Sequence, residues 1–143
     1  MKILFMDDSV RRHEIMKSNS IGLDVDYVYD ADSAIEKLNS NNYDLVMLDH
    51  DLDEKFNNVL LDNAKDGRYV TDYIAETLKE KYKNTFFIVH SLNAPASEIM
   101  KNTLKLAEIE DVICLPFAWM YIEKTENGIN FNTEKKFDWR NSF

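Results

Sequence analysis

A single cysteine, Cys114, leaves no partner for an internal disulfide and fits a chain kept in a reducing compartment, where a lone thiol is expected to be buried and inert. Long apolar runs are missing as well. Nothing approaches the roughly 18 consecutive apolar residues of a membrane-spanning helix. The run Ile3-Leu4-Phe5-Met6 stops at Asp7, short of a signal-peptide core. A cytoplasmic location is therefore expected. Basic charge is scarce: 17 Lys and Arg against 26 Asp and Glu give a formal net charge of -9. That argues against binding a nucleic acid duplex non-specifically, which needs phosphates neutralised. It also argues against attraction to an anionic membrane surface. A small phosphate-bearing ligand remains compatible where arginines, a helix N-terminus or a metal ion oppose the overall field. No internal repeat, low-complexity segment or linker interrupts the 143 residues, so one domain over 1–143 is expected.

What is present is an alternation of short apolar runs with helical periodicity. Residues 2–6, 25–29, 45–48, 86–89 and 112–115 read as strands, the central ones apolar throughout, as for strands covered on both faces. Ser9 or Asp8 caps a first helix starting at Val10, and Asp30 or Asp32 a second carrying Ala34, Ile35 and Leu38 on one face. The polar stretch from 50 to about 66 reads as a long loop. Asp66 caps a third helix opening at Gly67, with an apolar stripe of Val70, Tyr73, Ile74, Thr77, Leu78 and Tyr82. Asn93-Ala94-Pro95 starts a fourth, its buried face expected at Ile99, Thr103, Leu104 and Ala107. Such an alternation implies an α/β fold with a five-stranded parallel sheet, order 2-1-3-4-5, between helices. Residues 117–143 form an extension expected to pack on that domain. Asn127-Gly128 signals a β-hairpin there, with a helix over 118–124 as the alternative.

Ligands of open α/β sheets bind at the carboxyl ends of the strands. Those ends carry Asp7-Asp8, then Asp49-His50-Asp51, then His90-Ser91 with Asn93 following. Carboxylates brought together raise one another's pKa unless a cation relieves them. A divalent metal near Asp7, Asp8 and Asp49 is therefore expected. Carboxylates select Mg²⁺, Ca²⁺ or Mn²⁺, and an added imidazole moves the preference toward Mn²⁺, Fe²⁺ or Zn²⁺; Mg²⁺ or Mn²⁺ is the expectation here. The third histidine, His13, reads as a packed or solvent-facing helix residue.

The acidic pair, Asp49 and Ser91 at these strand ends resemble the receiver domain of response regulators, over roughly residues 1–116. The resemblance implies a receiver-like, flavodoxin-like three-layer sandwich, Mg²⁺ on the acidic pair and a phosphoryl-accepting Asp49. Receivers carry a Lys just before the proline that ends strand five; Leu115 stands there, which speaks against a phosphorylation switch. A closer resemblance is to the cyclic-phosphate-processing branch of receiver-like domains. It is carried by Met6-Asp7-Asp8 with Arg12, by Leu48-Asp49-His50-Asp51-Leu52, and by His90-Ser91-Leu92-Asn93-Ala94. Asp53 stands where that branch usually has Gly, and Asp66-Gly67 where it often has Thr-Gly.

That resemblance implies a metal-assisted phosphoesterase acting on a small cyclic phosphate, nucleoside or ribose. His50 and His90 would serve as base and acid, with Asp51 orienting His50. Arg12, Ser91 and Asn93 would donate to phosphate oxygens, helped by the helix amides at 93–96. Two alternatives stand beside it. One is a degenerate receiver phosphorylated on Asp49. The other is a non-catalytic binder of a nucleotide messenger, of the kind a phage decoy would be, acting in a host cytoplasm. A monomer or homodimer is expected.

Overall fold

The structure is a computed structural model that describes residues 1–52 and 65–116, together with the backbones of short strands at 55–56, 59–60, 122–125 and 128–131. The chain runs β1 (Lys2–Met6), α1 (Val10–Asn19), β2 (Asp24–Val28), α2 (Ala31–Ser40) and β3 (Leu45–Leu48). The strands β4 (Lys55–Phe56) and β5 (Val59–Leu60) follow, then α3 (Gly67–Tyr73), a π-helical turn (Ile74–Leu78) and α4 (Lys79–Tyr82). Next come β6 (Phe86–Val89), α5 (Ala94–Leu106), β7 (Val112–Cys114), β8 (Ile122–Thr125) and β9 (Gly128–Phe131).

The main sheet has the order β2-β1-β3-β6-β7, all parallel, which is 2-1-3-4-5 counting its own strands. Every residue of β3 is buried, as its unbroken Leu-Val-Met-Leu run requires. The two-residue period of the strands divides the core. Leu4, Met6, Val46, Leu48 and Val89 face one side, against Leu38 of α2, Val70 of α3, Ile74, and Met100 and Leu104 of α5. Ile3, Phe5, Leu45, Met47 and Ile88 face the other, against Ile15 and Met16 of α1. The result is the three-layer α/β sandwich expected, and no helix among the described residues is long and apolar enough to cross a membrane.

The helix starts are fixed by side-chain caps. Ser9, not Asp8, caps α1, and Asp30, not Asp32, caps α2. Asp66 and Asn93 cap α3 and α5 as the sequence predicts.

Three local expectations need correction. The stripe after Gly67 does not run through Thr77, which is exposed. The π turn places more residues per turn than an α-helix, so the four-residue steps Ile74, Leu78, Tyr82 stay on one face. In α5 the buried face is Ala96, Ser97, Met100 and Leu104, whereas Ile99 points outward. Cys114 is only half-buried, its thiol donating to the Ser97 carbonyl at 3.4 Å, and burial raises its pKa.

The stretch read as loop contains an antiparallel pair, β4 with β5. In the C-terminal extension β8 pairs antiparallel with β9, Thr125 opposite Gly128, so the hairpin reading holds and the helical one does not reach Ile122. How the extension meets the domain lies outside the described residues.

Candidate functional site

Strand geometry alone brings three groups together. The amide of Asp7 donates to Val28, that of Asp49 to Met6 and that of His90 to Leu48, at 3.0–3.1 Å. Each residue just past its strand is thus still pinned to the neighbouring strand. Asp7, Asp49 and His90 stand two residues beyond Phe5, Met47 and Ile88, which all face α1. By the period of two they point to that same side. All three are buried, and one donor atom from each lies within 4.8 Å of the others.

Arg12, from the first turns of α1, enters this cluster. Its Nε donates to Asp7 Oδ2 at 2.7 Å, and its Nη2 lies 3.4 Å from Asp8 Oδ1 and 3.3 Å from Asp49 Oδ2. Burial works against its charge, but Asp7, Asp49 and Asp8 outweigh it and hold the pKa above the ordinary arginine value. Asp8 therefore joins the cluster through Arg12. Asp7 is held further by the Ser9 amide, which donates to Oδ1 at 2.8 Å.

Electrostatics at this site follow from burial. Asp49 is pushed up to about 7, first by desolvation and then by the charge of Asp7, with Arg12 pulling the other way. His90 is pushed down to about 4 by burial, against the attraction of Asp7, whose Oδ2 lies 3.6 Å from Nδ1. Its ring stacks on Phe5, centroids 5.1 Å apart and 7° from parallel. At neutral pH His90 is an uncharged imidazole set among carboxylates. The resemblance pairs it with His50 as acid and base; an uncharged imidazole offers one ring nitrogen as a ligand or acceptor and keeps one N–H.

His50 belongs to a second cluster. Its backbone amide donates to Asp49 Oδ1 at 2.9 Å, but its ring turns to other partners. Nδ1 donates to Asp51 Oδ1 at 2.7 Å. Nε2 lies 3.2 Å from Asp66 Oδ2, a residue whose position in the sequence marks it only as a helix cap. Asp66 does both: Oδ1 accepts from the amides of Arg68 and Tyr69 while Oδ2 faces His50.

Two of the residues expected to hold phosphate, Ser91 and Asn93, are fixed in local turns. Ser91 is buried and its Oγ accepts from the Asn93 amide at 3.0 Å, and Asn93 Oδ1 accepts from Ala96 at 3.2 Å. Asn93 itself is exposed at the mouth of α5. His13 turns out to be packed. Its Nε2 lies 2.7 Å from the Asp7 carbonyl, its ring stacks on Tyr29 at 3.9 Å, and burial lowers its pKa. It walls the site on the α1 side, a role no sequence pattern marks.

Two carboxylates and an imidazole fit a divalent cation by their donor chemistry, on the borderline side of the Mg²⁺-to-Mn²⁺ range because of the nitrogen.

Comparison with known proteins identifies the family and the fold. The family model described as cyclic-phosphate processing receiver domain matches residues 2–106. Among solved structures, the receiver domain of a Francisella response regulator is 22% identical, with a TM-score of 0.54, covering 79% of this chain and 82% of that one. The Thermotoga maritima response regulator TrrA, solved with Mg²⁺ and BeF, is 22% identical with a TM-score of 0.54, covering 80% and 84%. A CheY-like receiver domain from Methanospirillum hungatei is 17% identical with a TM-score of 0.55, covering 80% and 81%. These likenesses establish the receiver fold. No curated protein matches the chain in sequence.

Proposed function

The chain belongs to the cyclic-phosphate processing receiver family, and from that premise we propose that it is a phosphoesterase opening a small cyclic phosphate, a nucleoside or ribose cyclic phosphate, with help from a divalent metal. The observation that carries the reading is the buried Asp7–Asp49–His90 cluster at the carboxyl ends of three adjacent strands.

Asp7, Asp49 and His90 would hold the cation, with Asp8 beside them through Arg12. Bound there, it would supply Lewis-acid polarisation of a phosphoryl oxygen and a lowered pKa for water.

The chain's own residues account for the rest. Ring opening joins a water oxygen to phosphorus and breaks one of the two ring P–O ester bonds. Water gives up one proton, and the departing ring oxygen takes one, leaving a phosphomonoester. His50, oriented by Asp51 and flanked by Asp66, is assigned the proton transfer. The Ser91 hydroxyl retains a proton to donate to a phosphate oxygen. The α5 N-terminus at Asn93 adds a favourable dipole for the anion.

A panel of cyclic nucleoside and ribose phosphates, incubated with Mg²⁺ or Mn²⁺, tests the proposal. Loss of His50 as a proton-transfer group should cost about 10²–10⁴-fold in rate. Unchanged turnover in both His50→Ala and His90→Ala removes the proposal. Tight binding with the ligand recovered intact favours the decoy reading instead.

One observation favours a second reading. Asp49 ends β3 beside Asp7 and Asp8, where the receiver resemblance puts a phosphoryl acceptor. Acetyl phosphate labelling of the wild type but not of Asp49→Asn would support it. Leu115, whose amide is bonded to Val89 in the sheet, offers no ammonium to an aspartyl phosphate.

A further inference from the structure

The Nε–Nη2 edge of Arg12 spans Asp7 Oδ2 and Asp49 Oδ2, at 2.7 and 3.3 Å. These two carboxylates also belong to the cluster suited to a cation, and Asp7 Oδ2 is the oxygen nearest His90 Nδ1. A metal held by these two carboxylates would meet the guanidinium edge already bonded to their Oδ2 atoms, and the two positive charges would compete for the same acids. The guanidinium also reaches Asp8, so one positive charge is spread over three acids.

We propose that Arg12 is the site's own counter-ion and competes with the divalent cation for the Asp7 and Asp49 oxygens, so that metal entry displaces it toward the rim. Charge favours the exchange, because a divalent ion offsets more of the three carboxylates than one guanidinium does. The way out is present: the Arg12 side chain is one-third exposed and rises from α1, next to the Ser9 cap. Once released, the guanidinium presents its fork of N–H donors at the mouth of the pocket, where a phosphate oxygen would arrive. Arg12 thus serves the empty pocket as a stand-in cation and the loaded one as an anion ligand. The inference rests on the proposed function only for the identity of the cation; its test needs no cyclic phosphate.

Mn²⁺ affinity is measured on the full chain by the electron paramagnetic resonance of free Mn²⁺, for wild type, Arg12→Gln and Arg12→Lys. Removing the competing charge should tighten Mn²⁺ binding in Arg12→Gln by about tenfold or more. Arg12→Lys, which keeps a cation in reach of the same acids, should stay close to wild type. A folded Arg12→Gln that binds Mn²⁺ no better than wild type overturns the proposal, as does absence of binding in all three. Should the unscreened acids prevent Arg12→Gln from folding, the wild type decides. In ¹⁵N spectra the Arg12 Nε–H signal should move and lose protection from solvent exchange as Mg²⁺ saturates, and a signal that stays put overturns the proposal. Hydrolysis enters neither arm, so failure here is distinct from failure of the phosphoesterase reading.

Discussion

Gly67 donates its amide to the His50 carbonyl at 2.9 Å, and a β-carbon at Gly67 would drive into the Asp49 carbonyl and come within 2.8 Å of the His50 α-carbon. The first residue of α3 is therefore packed directly on the strand end that carries two site residues. Gly67→Ala should destabilise the fold by about 1–3 kcal/mol, because the obstructing atoms are backbone and cannot rotate aside. The gain in helix propensity offsets roughly 1 kcal/mol at most. Urea unfolding should show the midpoint falling. A variant as stable as wild type would mean that the α3 start and the Asp49–His50 backbone separate freely.

The two oxygens of Asp66 have separate duties, and one substitution separates them. Asn at this position keeps an N-cap, since Asn and Asp cap about equally well. Asp66→Asn should leave stability nearly unchanged but replace a charged partner of His50 with a neutral amide. Turnover of a cyclic phosphate should fall, with the melting temperature steady. Asp66→Ala should lose both, with the cap costing about 1 kcal/mol. Equal activity in wild type and Asp66→Asn would reduce Asp66 to a cap.

Much of this was readable in advance. Apolar runs at 45–48 and 86–89 announce covered strands, and their polar successors Asp49 and His90 mark the sheet edge where ligands bind. That edge needs only the chain order and the two-residue period. The partners of the two histidines were less legible. Asp66 meets His50 because α3 returns to the end of β3, and the intervening chain gives no sign of that contact. The motif implies that Arg12 donates to phosphate but carries no sign of its contacts in the empty pocket, where it lies on Asp7, Asp8 and Asp49. The stripe through Thr77 failed for a different reason: a π turn changes the helical repeat, and a period of 3.6 assumes none.

Two buried groups make opposite contributions to acid stability. His90 has a folded pKa of about 4, below its usual 6.5. Between those values the unfolded chain binds a proton that the folded one refuses, so stability falls as pH falls. His13, also lowered, acts in the same direction. Asp49 has a folded pKa of about 7, above its usual 3.8, so across that window the folded chain binds the extra proton and stability rises as pH falls. In metal-free protein between pH 7 and 4, His90→Gln should therefore lose less stability on acidification than wild type, and Asp49→Asn should lose more. Urea midpoints at several pH values measure both. Identical pH slopes in all three proteins would mean that neither group titrates as its burial requires.

Metal binding should carry the same proton. A carboxyl must ionise to coordinate a cation, and Asp49 at about 7 is half-protonated near neutrality. Apparent Mg²⁺ or Mn²⁺ affinity should thus rise with pH up to about 7, by roughly tenfold per unit below it, and then level off. His90, with a pKa of about 4, is already mostly neutral over the upper part of this range and adds little there. Calorimetry in two buffers of different ionisation enthalpy counts the proton directly: about one released per metal at pH 6 and close to none at pH 8.5. Stripping the metal with a chelator at pH 6 should return that proton. An affinity independent of pH across this range would place the cation elsewhere than on Asp49, and would separate the candidate site from the strand end that Gly67 and His90 hold in place.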